Sequence, residues 1–290
     1  MVPDFLGIGA QKAGTTWLHA NLSRHPEVWL PPLKEVHYFD KACRYPSPWS
    51  RRYYDERWRR QFSRRLGQRL TGGLGTRDLR WDLNYFFGRR TDAWYASLFE
   101  PGRGRRCGEI TPAYSKLEPH EVERIRDLCP EARILYLLRD PIDRAWSGAR
   151  MAFDRRGLDL ADEARWQAYC DTQRTGRGDY LRTLKTWSAL FPRERIFVGS
   201  FDEIRSDPAA LLTRVHAFLG VSSGPEFLPA DLRRSVNASS SHPMPLAVEA
   251  YLARVYLDDL VELRELLGAL VEPWLQRARR AVAGGRVEAR

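Results

Sequence analysis

Residues 4–24 constrain the fold more than any other stretch. Asp4-Phe-Leu-Gly-Ile-Gly9 is short, apolar and closed by a glycine, which predicts a buried strand running into a tight turn. Gly14 to Arg24 then carries Trp17, Leu18 and Leu22 at helical spacing, so the unit reads strand, loop, helix. The loop is Gly9-Ala-Gln-Lys-Ala-Gly-Thr-Thr16. A glycine-rich turn ahead of a helix points backbone N–H groups and the positive helix end at an anion, so a phosphate is expected there. The glycines have P-loop spacing, but Thr15 stands where that motif carries its lysine, and the lysine sits inside the loop as Lys12.

Two more strand-to-helix units follow. Arg133-Ile-Leu-Tyr-Leu-Leu-Arg139 is a continuous apolar run of the kind covered on both faces in a parallel sheet. Asp140 and Pro141 follow as N-cap and first helical residue, and Ile142, Ala145, Trp146 and Ala149 give that helix an apolar face. Arg195-Ile-Phe-Val-Gly-Ser200 is another strand. Asp207-Pro208 then opens a helix with Leu211, Leu212, Val215, Phe218 and Leu219 inward, and Gly220 ends it. The C-terminal part reads as helix alone, with Leu263, Leu266, Leu267 and Leu270 on one stripe. The alternation predicts one α/β domain over residues 1–290. Its fold is P-loop-like and three-layered, with a central parallel sheet of about four or five strands and a helical C-terminal part.

Between Lys41 and Arg90 the periodicity dissolves, which marks residues 41–90 as an insertion. Arg51, Arg52, Arg57, Arg59, Arg60, Arg64, Arg65 and Arg69 are set there among Trp49, Tyr53, Tyr54 and Trp58, with glycines at 72, 73 and 75. Three readings stay open: a lid over a substrate, a basic helix for nucleic acid or protein, or an arginine-coated helix burying its aromatics.

The net charge of +10 comes almost wholly from arginine, since lysine occurs only at positions 12, 34, 41, 116 and 185. Such a surface attracts an anionic ligand, and it equally describes a solvated basic face. Cys43, Cys107, Cys129 and Cys170 are far apart with no CxxC pair, so neither a zinc site nor a disulfide framework is expected. No apolar run approaches the ~20 residues a spanning helix needs. Met1 leads straight into Phe5–Ile8 without a basic n-region or cleavage site. The expectation is a cytoplasmic protein for which a membrane is no partner.

The motifs together resemble the PAPS-dependent sulfotransferases (PAPS is 3′-phosphoadenosine 5′-phosphosulfate), most closely the heparan-sulfate-type and bacterial members. The resemblance runs from Pro3 to about Gly220 and more weakly to Gly268. Gln11-Lys-Ala-Gly-Thr-Thr16 is similar to that family's 5′-phosphosulfate loop, which implies Lys12, Ala13, Gly14, Thr15 and Thr16 around the 5′-phosphate and sulfuryl bridge. Leu138-Arg139-Asp-Pro-Ile-Asp-Arg-Ala-Trp-Ser147 is similar to its 3′-phosphate element, which implies Arg139 and Ser147 on that phosphate. Independently, Arg139 ends a strand where open α/β sheets bind ligands, and its planar fork matches a terminal phosphate. The bland alternatives are an ion pair of Arg139 with Asp140 or Asp143, and a helix serine bonded to its own backbone.

Pro31-Pro-Leu-Lys-Glu35-Val-His37-Tyr-Phe-Asp40 resembles the family's Lys-Glu-x-His-Phe-Phe element, whose glutamate is the base in heparan-type enzymes. Alternate positions of an extended segment point to one side, so Glu35 and His37 can meet one acceptor group. Which of them is the base stays open. So do a salt bridge of Glu35 with Lys34 and a structural role for His37. Gly108-Glu-Ile-Thr-Pro-Ala-Tyr114 resembles Gly-Glu-Lys-Thr-Pro-x-Tyr, with Ile110 replacing a lysine that in some members orients the acceptor. That departure sets the chain apart from heparan-like, anionic acceptors, and Glu109 is either structural or acceptor-facing. Gly178-Asp-Tyr180 through Phe191-Pro192 also fits, and the family places its tyrosine near the nucleotide. Val236–Pro243 stands where relatives carry a basic closing loop, and Arg233 and Arg234 are either its substitutes here or a solvated pair.

The resemblance implies direct, in-line sulfuryl transfer from PAPS to a hydroxyl or amine of a small-molecule or carbohydrate acceptor, without metal, releasing adenosine 3′,5′-bisphosphate. One rival is a P-loop small-molecule kinase, opposed by the displaced lysine and by Arg139 where a magnesium-binding aspartate would end the strand. The other is a basic nucleic-acid-binding module, which rests on charge and the arginine-rich insertion alone.

Overall fold

The computed structural model describes residues 1–40, 56–71, 76–157, 162–174, 176, 178–234 and 243–285. Strand β1 (Phe5–Gly9) is buried along its whole length. It is followed by β2 (Val28–Trp29), β3 (Arg106–Ile110), β4 (Arg133–Leu138) and β5 (Ile196–Ser200). These form one sheet in the order β2-β3-β1-β4-β5, with every pairing parallel. The three strands read from the sequence are β1, β4 and β5. The sequence motif at Gly108–Tyr114 contains the end of β3, whose contact with β1 depends on a glycine. A Cβ on Gly7 would lie 2.8 Å from Ile110 Cγ1, so its absence lets Ile110 pack onto the central strand.

Helix α1 (Thr15–Leu22) leads from β1 to β2. Helices α2 (Glu56–Leu70), α3 (Thr76–Phe87) and α4 (Asp92–Ser97) precede β3, and α5 (Pro119–Leu128) connects β3 to β4. Helices α6 (Pro141–Arg156), α7 (Glu163–Arg174) and α8 (Tyr180–Ser188) lie between β4 and β5. Helices α9 (Phe201–Ser206) and α10 (Pro208–Leu219) follow β5, and α11 (Leu246–Leu267) packs on α12 (Glu272–Gly285) at the C-terminal end. The helix boundaries follow the expected local chemistry. Asp140 accepts from Ile142 N–H at 2.9 Å to open α6, and Asp207 does the same for α10 through Ala210 N–H at 3.0 Å. Gly220 ends α10 in the left-handed region at φ 70°. The C-terminal leucine stripe needs correction. Its buried members are Val248, Leu252, Tyr256, Leu260 and Leu263, while Leu266, at the stripe's edge near the helix end, is 55% exposed.

Within residues 41–90 the described part is helical, and α2 and α3 form a hairpin. Trp58 stacks on Phe62 at 5.1 Å and meets Phe86 edge-on, and Trp81 and Tyr85 are buried beside them. Arg65 and Arg69 turn inward to Asp82 at 2.9 and 2.8 Å, while Arg59, Arg60 and Arg64 are exposed. Arginine occupies both the buried and the outer face, which hides the helical period from any hydrophobicity reading. Trp49, Arg51, Arg52, Tyr53, Tyr54 and the glycine cluster lie outside the described residues, as does Cys43. Cys107, Cys129 and Cys170 are buried, free thiols. No helix of the described residues is long and apolar enough to cross a membrane.

The Asp82 pairs are buried, with side-chain exposures of 8% for Arg65 and Asp82. Removing one partner of a buried pair leaves an uncompensated charge and costs about 3–5 kcal/mol. Asp82→Ala is therefore expected to lower the thermal unfolding midpoint clearly. The triple change Arg65→Met, Arg69→Met and Asp82→Leu, which removes all three charges, should recover most of the loss, as measured by calorimetric melting.

Candidate active site

Strands β1 and β4 are neighbours in the sheet, so the loop after Gly9 and the helix start after Leu138 emerge side by side. This is where the strand order reverses, the place at which open parallel sheets hold ligands. Ala10 N–H donates to Leu137 O at 2.6 Å and fastens the loop to β4. Lys12 and Gly14 adopt left-handed conformations, with φ 72° and 84°. A Cβ on Gly14 would overlap Ile204 Cδ1, so only glycine fits between the loop and α9. Gly14 caps α1 without a side-chain acceptor, and the first turn of α1 holds no acidic residue. The first N–H groups of that helix thus face no carboxylate of their own turn.

A residue read only as an ion-pair partner of Glu35 completes this end. Lys34 Nζ donates to Thr15 Oγ1 at 3.3 Å and Thr16 Oγ1 at 3.0 Å, and lies 3.5 Å from Glu35 Oε1. Lys34 joins the Lys12–Thr16 loop to the segment carrying Glu35 and His37. Lys12 Nζ is 3.9 Å from Met151 Sδ on α6.

Arg139 ties the second motif to the first, since its Nη1 donates to Lys12 O at 3.3 Å. Its guanidinium sits 4.7 Å above the Phe201 ring. Arg139 Nε is buried without a hydrogen-bond partner among the described residues. Burial lowers the pKa of this arginine, as expected for a cation with incomplete compensation. Asp143 approaches Arg139 only to 3.8 Å. The expected alternative pairing with Asp140 is replaced by Arg277, which reaches Asp140 Oδ2 and Asp143 Oδ1, both at 2.8 Å. Ser147 is buried two turns into α6. Tyr180, at the start of α8, is buried and donates its hydroxyl to Arg139 O at 2.9 Å. Its polar end fixes the backbone of the strand end.

Glu35 and His37 do meet, but not as alternate positions of an extended segment. Both residues are left-handed, at φ 66° and 55°. The cause is the peptide units of Val36: its N–H donates to Glu109 Oε2 at 3.2 Å and its carbonyl accepts from Arg90 Nη2 at 2.8 Å. Held at both ends, the segment coils so that His37 Nε2 lies 3.3 Å from Glu35 Oε2 and His37 Nδ1 lies 2.7 Å from Asp40 Oδ2. Glu109 also accepts from Tyr95 and Tyr114 hydroxyls at 2.6 and 2.9 Å and from Thr111 at 2.6 Å. It is 1% exposed, with both oxygens engaged, so it positions its neighbours. Ile110, in place of the family's lysine, is buried against Gly7.

Two neighbours of the site left no sequence signal. His19 lies one helical turn beyond Thr15, and burial together with Lys34 pulls its pKa down to about 4, so it is neutral at pH 7. Arg277 comes from α12, far along the chain. The expected closing loop falls mainly on residues 235–242, outside the described residues. Arg233 donates to the carbonyls of Arg205 and Ser206 at 3.4 Å, and Arg234 is exposed.

Comparison with known proteins decides the family, because the sulfotransferase family profile matches residues 3–225. The chain is a member of the sulfotransferase family. It is similar to the bifunctional heparan sulfate N-deacetylase/N-sulfotransferase 4 of Mus musculus, 25% identical over 311 residues, covering 95% of this chain and 31% of that one. The chain thus spans about a third of that relative's length. The crystal structure of a sulfotransferase from Alicyclobacillus acidocaldarius superposes with a TM-score of 0.66 at 28% identity, covering 94% of this chain and 99% of that one. A third relative corrects the cytoplasmic expectation. A membrane-associated sulfotransferase of Dictyostelium discoideum is 26% identical over 150 residues, covering 50% of this chain and 22% of that one. That no helix of the described residues is long and apolar enough to cross a membrane does not place a member of this family in the cytoplasm.

Asp140 carries a measurable signature of the site's electrostatics. Burial pushes its pKa up from 3.8 to about 6, against the opposing pull of Arg277. The folded state therefore holds this proton more tightly than the unfolded state. The stabilising contribution is complete below the unfolded pKa and is lost as pH rises through the folded one, between about 4 and about 6. Asp140→Asn keeps an N-cap and should remove that slope, whereas Arg277→Met should extend it to higher pH. Urea unfolding across this pH range measures both.

Proposed function

We propose that the chain moves a sulfuryl group from PAPS directly to a hydroxyl or amine of a carbohydrate or small-molecule acceptor. The observation that carries this reading is the bond from Arg139 Nη1 to Lys12 O, 3.3 Å long. It sets two anion-binding groups edge to edge: the loop and α1 N-terminus for one phosphate, Arg139 for another. The chemistry of the donors fits a ligand with separated 5′- and 3′-phosphates, since Arg139 retains a buried, unpartnered Nε and its planar fork suits a terminal phosphate. Ser147, two turns into the helix that follows Arg139, is the second 3′-phosphate residue that the family resemblance implies.

In this reading Lys12, Lys34 and the N–H groups at the start of α1 stabilise the charge that grows on the leaving bisphosphate. The acceptor oxygen or nitrogen bonds to sulfur as the bond from sulfur to the bridging phosphate oxygen breaks, and the acceptor proton passes to Glu35. His37 orients Glu35 through its Nε2 and is itself oriented by Asp40, an arrangement of base and supporting groups. The relative named for heparan sulfate supports a carbohydrate acceptor. Ile110 supplies no cation at the place where some members use a lysine, which favours an acceptor that is uncharged there.

Adenosine 3′,5′-bisphosphate should bind more tightly than AMP, because Arg139 has no phosphate partner in the AMP complex. A charged hydrogen bond contributes roughly 1.5–3 kcal/mol, so calorimetry should resolve the difference. Equal affinities would remove Arg139 from the 3′-site.

Glu35→Gln should lower turnover by about 10²–10⁴, the usual contribution of a positioned base, while bisphosphate affinity stays near wild type. His37→Ala should cost less. The reverse order would make His37 the base, and near-normal turnover in both variants would exclude the segment from the chemistry.

A further inference from the structure

Eight large apolar side chains are more than a third exposed among the described residues, and five of them lie on α2 and α3. Leu66 and Leu70 are one turn apart on α2, and Leu79, Leu83 and Phe87 follow at single-turn spacing on α3, so each helix carries an outward apolar stripe. The hairpin brings the stripes together. Phe62 meets Phe87 at 5.8 Å, and Arg65 meets Asp82 at 2.9 Å, so the helices run antiparallel. One turn beyond the Phe62–Phe87 contact this geometry places Leu66 opposite Leu83, and the next turn places Leu70 opposite Leu79. The result is one apolar ribbon, with Leu70 81% exposed.

Among the described side chains, the exposed charges beside the ribbon are mostly cationic. Arg59, Arg60 and Arg64 on α2 and Arg80 on α3 are exposed. Among nearby acids, Asp82 is taken by Arg65 and Arg69, and Glu56 lies 3.7 Å from Arg60. A second copy of this face would set arginine against arginine, which opposes self-association. Stacking of successive bases needs a row of exposed aromatics, and among the described residues of the hairpin Phe87 alone is exposed while Trp58, Trp81, Tyr85 and Phe86 are buried, so a nucleic acid fits poorly. Exposed leucines flanked by arginines match the boundary between acyl chains and anionic headgroups.

We propose that the α2–α3 hairpin is a peripheral docking surface for an anionic lipid bilayer. The leucine ribbon enters the headgroup boundary and the flanking arginines pair with lipid phosphates. Such docking needs no spanning helix, so the short apolar runs of the sequence do not bear on it. The surface is linked to the site described above, because Arg90, shortly after α3, donates to Val36 O between Glu35 and His37.

The test is sedimentation of the full chain with vesicles of phosphatidylcholine alone or mixed with phosphatidylglycerol, without PAPS or acceptor. Binding is expected only to the mixed vesicles and should weaken with added salt. The double variant Leu66→Asp/Leu83→Asp should lose roughly a hundredfold in partitioning, given the transfer cost of two leucines. Arg59→Glu/Arg64→Glu should also weaken binding. Circular dichroism and unchanged bisphosphate affinity would show that the variants are folded. The proposal is overturned if wild type ignores the mixed vesicles or if the aspartate variant binds them equally. It is also overturned if wild type is a dimer that the aspartates dissociate, or if it prefers polyglutamate to vesicles.

Discussion

The residues around Glu35 are held in place by a carboxylate that never meets water. Glu109 ends β3 inside the protein, and burial alone would cost such a group several kcal/mol. Two tyrosine hydroxyls, a threonine hydroxyl and the Val36 N–H offset that cost, each bond to a charged acceptor contributing about 1.5–3 kcal/mol. Burial still outweighs the donors in raising the pKa of Glu109, and the same burial keeps Tyr95 and Tyr114 protonated as donors. Tyr114 Oη in turn accepts from Tyr38 N–H at 3.0 Å. The segment with Glu35 and His37 thus takes its shape from the sheet beneath it, and its two left-handed residues follow from those bonds.

Arg139 meets a different constraint: two aspartates, Asp140 at the cap of α6 and Asp143 in its first turn, follow it closely and would cancel its charge. They do not, because Arg277 draws both of them aside at 2.8 Å and also reaches Glu249 at 2.6 Å. Asp143 is left at 3.8 Å from Arg139, the outer limit of an ion pair. The C-terminal helices therefore contribute to the electrostatics of the loop side through Arg277. Tyr180 supports the same arrangement from α8 by holding the Arg139 carbonyl.

Much of this was legible in the residues, for local reasons. The β1 loop and the β4 helix start are each built from consecutive positions whose turn and cap chemistry is short-ranged, so Gly14, Asp140, Pro141 and Gly220 act where the sequence places them. The coil at Glu35 was not legible, since it is imposed by Glu109 and Arg90 from other elements. Lys34 was visible only as the neighbour of Glu35, because its bonds to Thr15 and Thr16 depend on how the segment folds back over α1. Arg277 had no local signal at all. The α2–α3 hairpin escaped for a further reason: a buried Arg65 looks like a solvated residue until its partner Asp82 is in view.

Arginine's role in this chain is decided by the carboxylate it meets. Arg65 and Arg69 share one buried aspartate and hold a hairpin together. Arg277 meets three acids and orders the start of α6. Arg139 has its nearest acid drawn away and keeps one buried nitrogen unpartnered. Arg59 and Arg64 stand on the surface beside an apolar ribbon. A net charge of +10 is compatible with each of these roles taken alone, which is why charge could not discriminate among ligand, core and surface. The discriminating quantity is local compensation. Where a cation is buried and incompletely paired, an anionic ligand recovers the desolvation already incurred on folding; where the pair is complete, an added anion gains little. That criterion underlies the proposal that Arg139, beside the loop at the end of β4, meets a phosphate, since its nearest acid stands at 3.8 Å while Arg65 holds Asp82 at 2.9 Å.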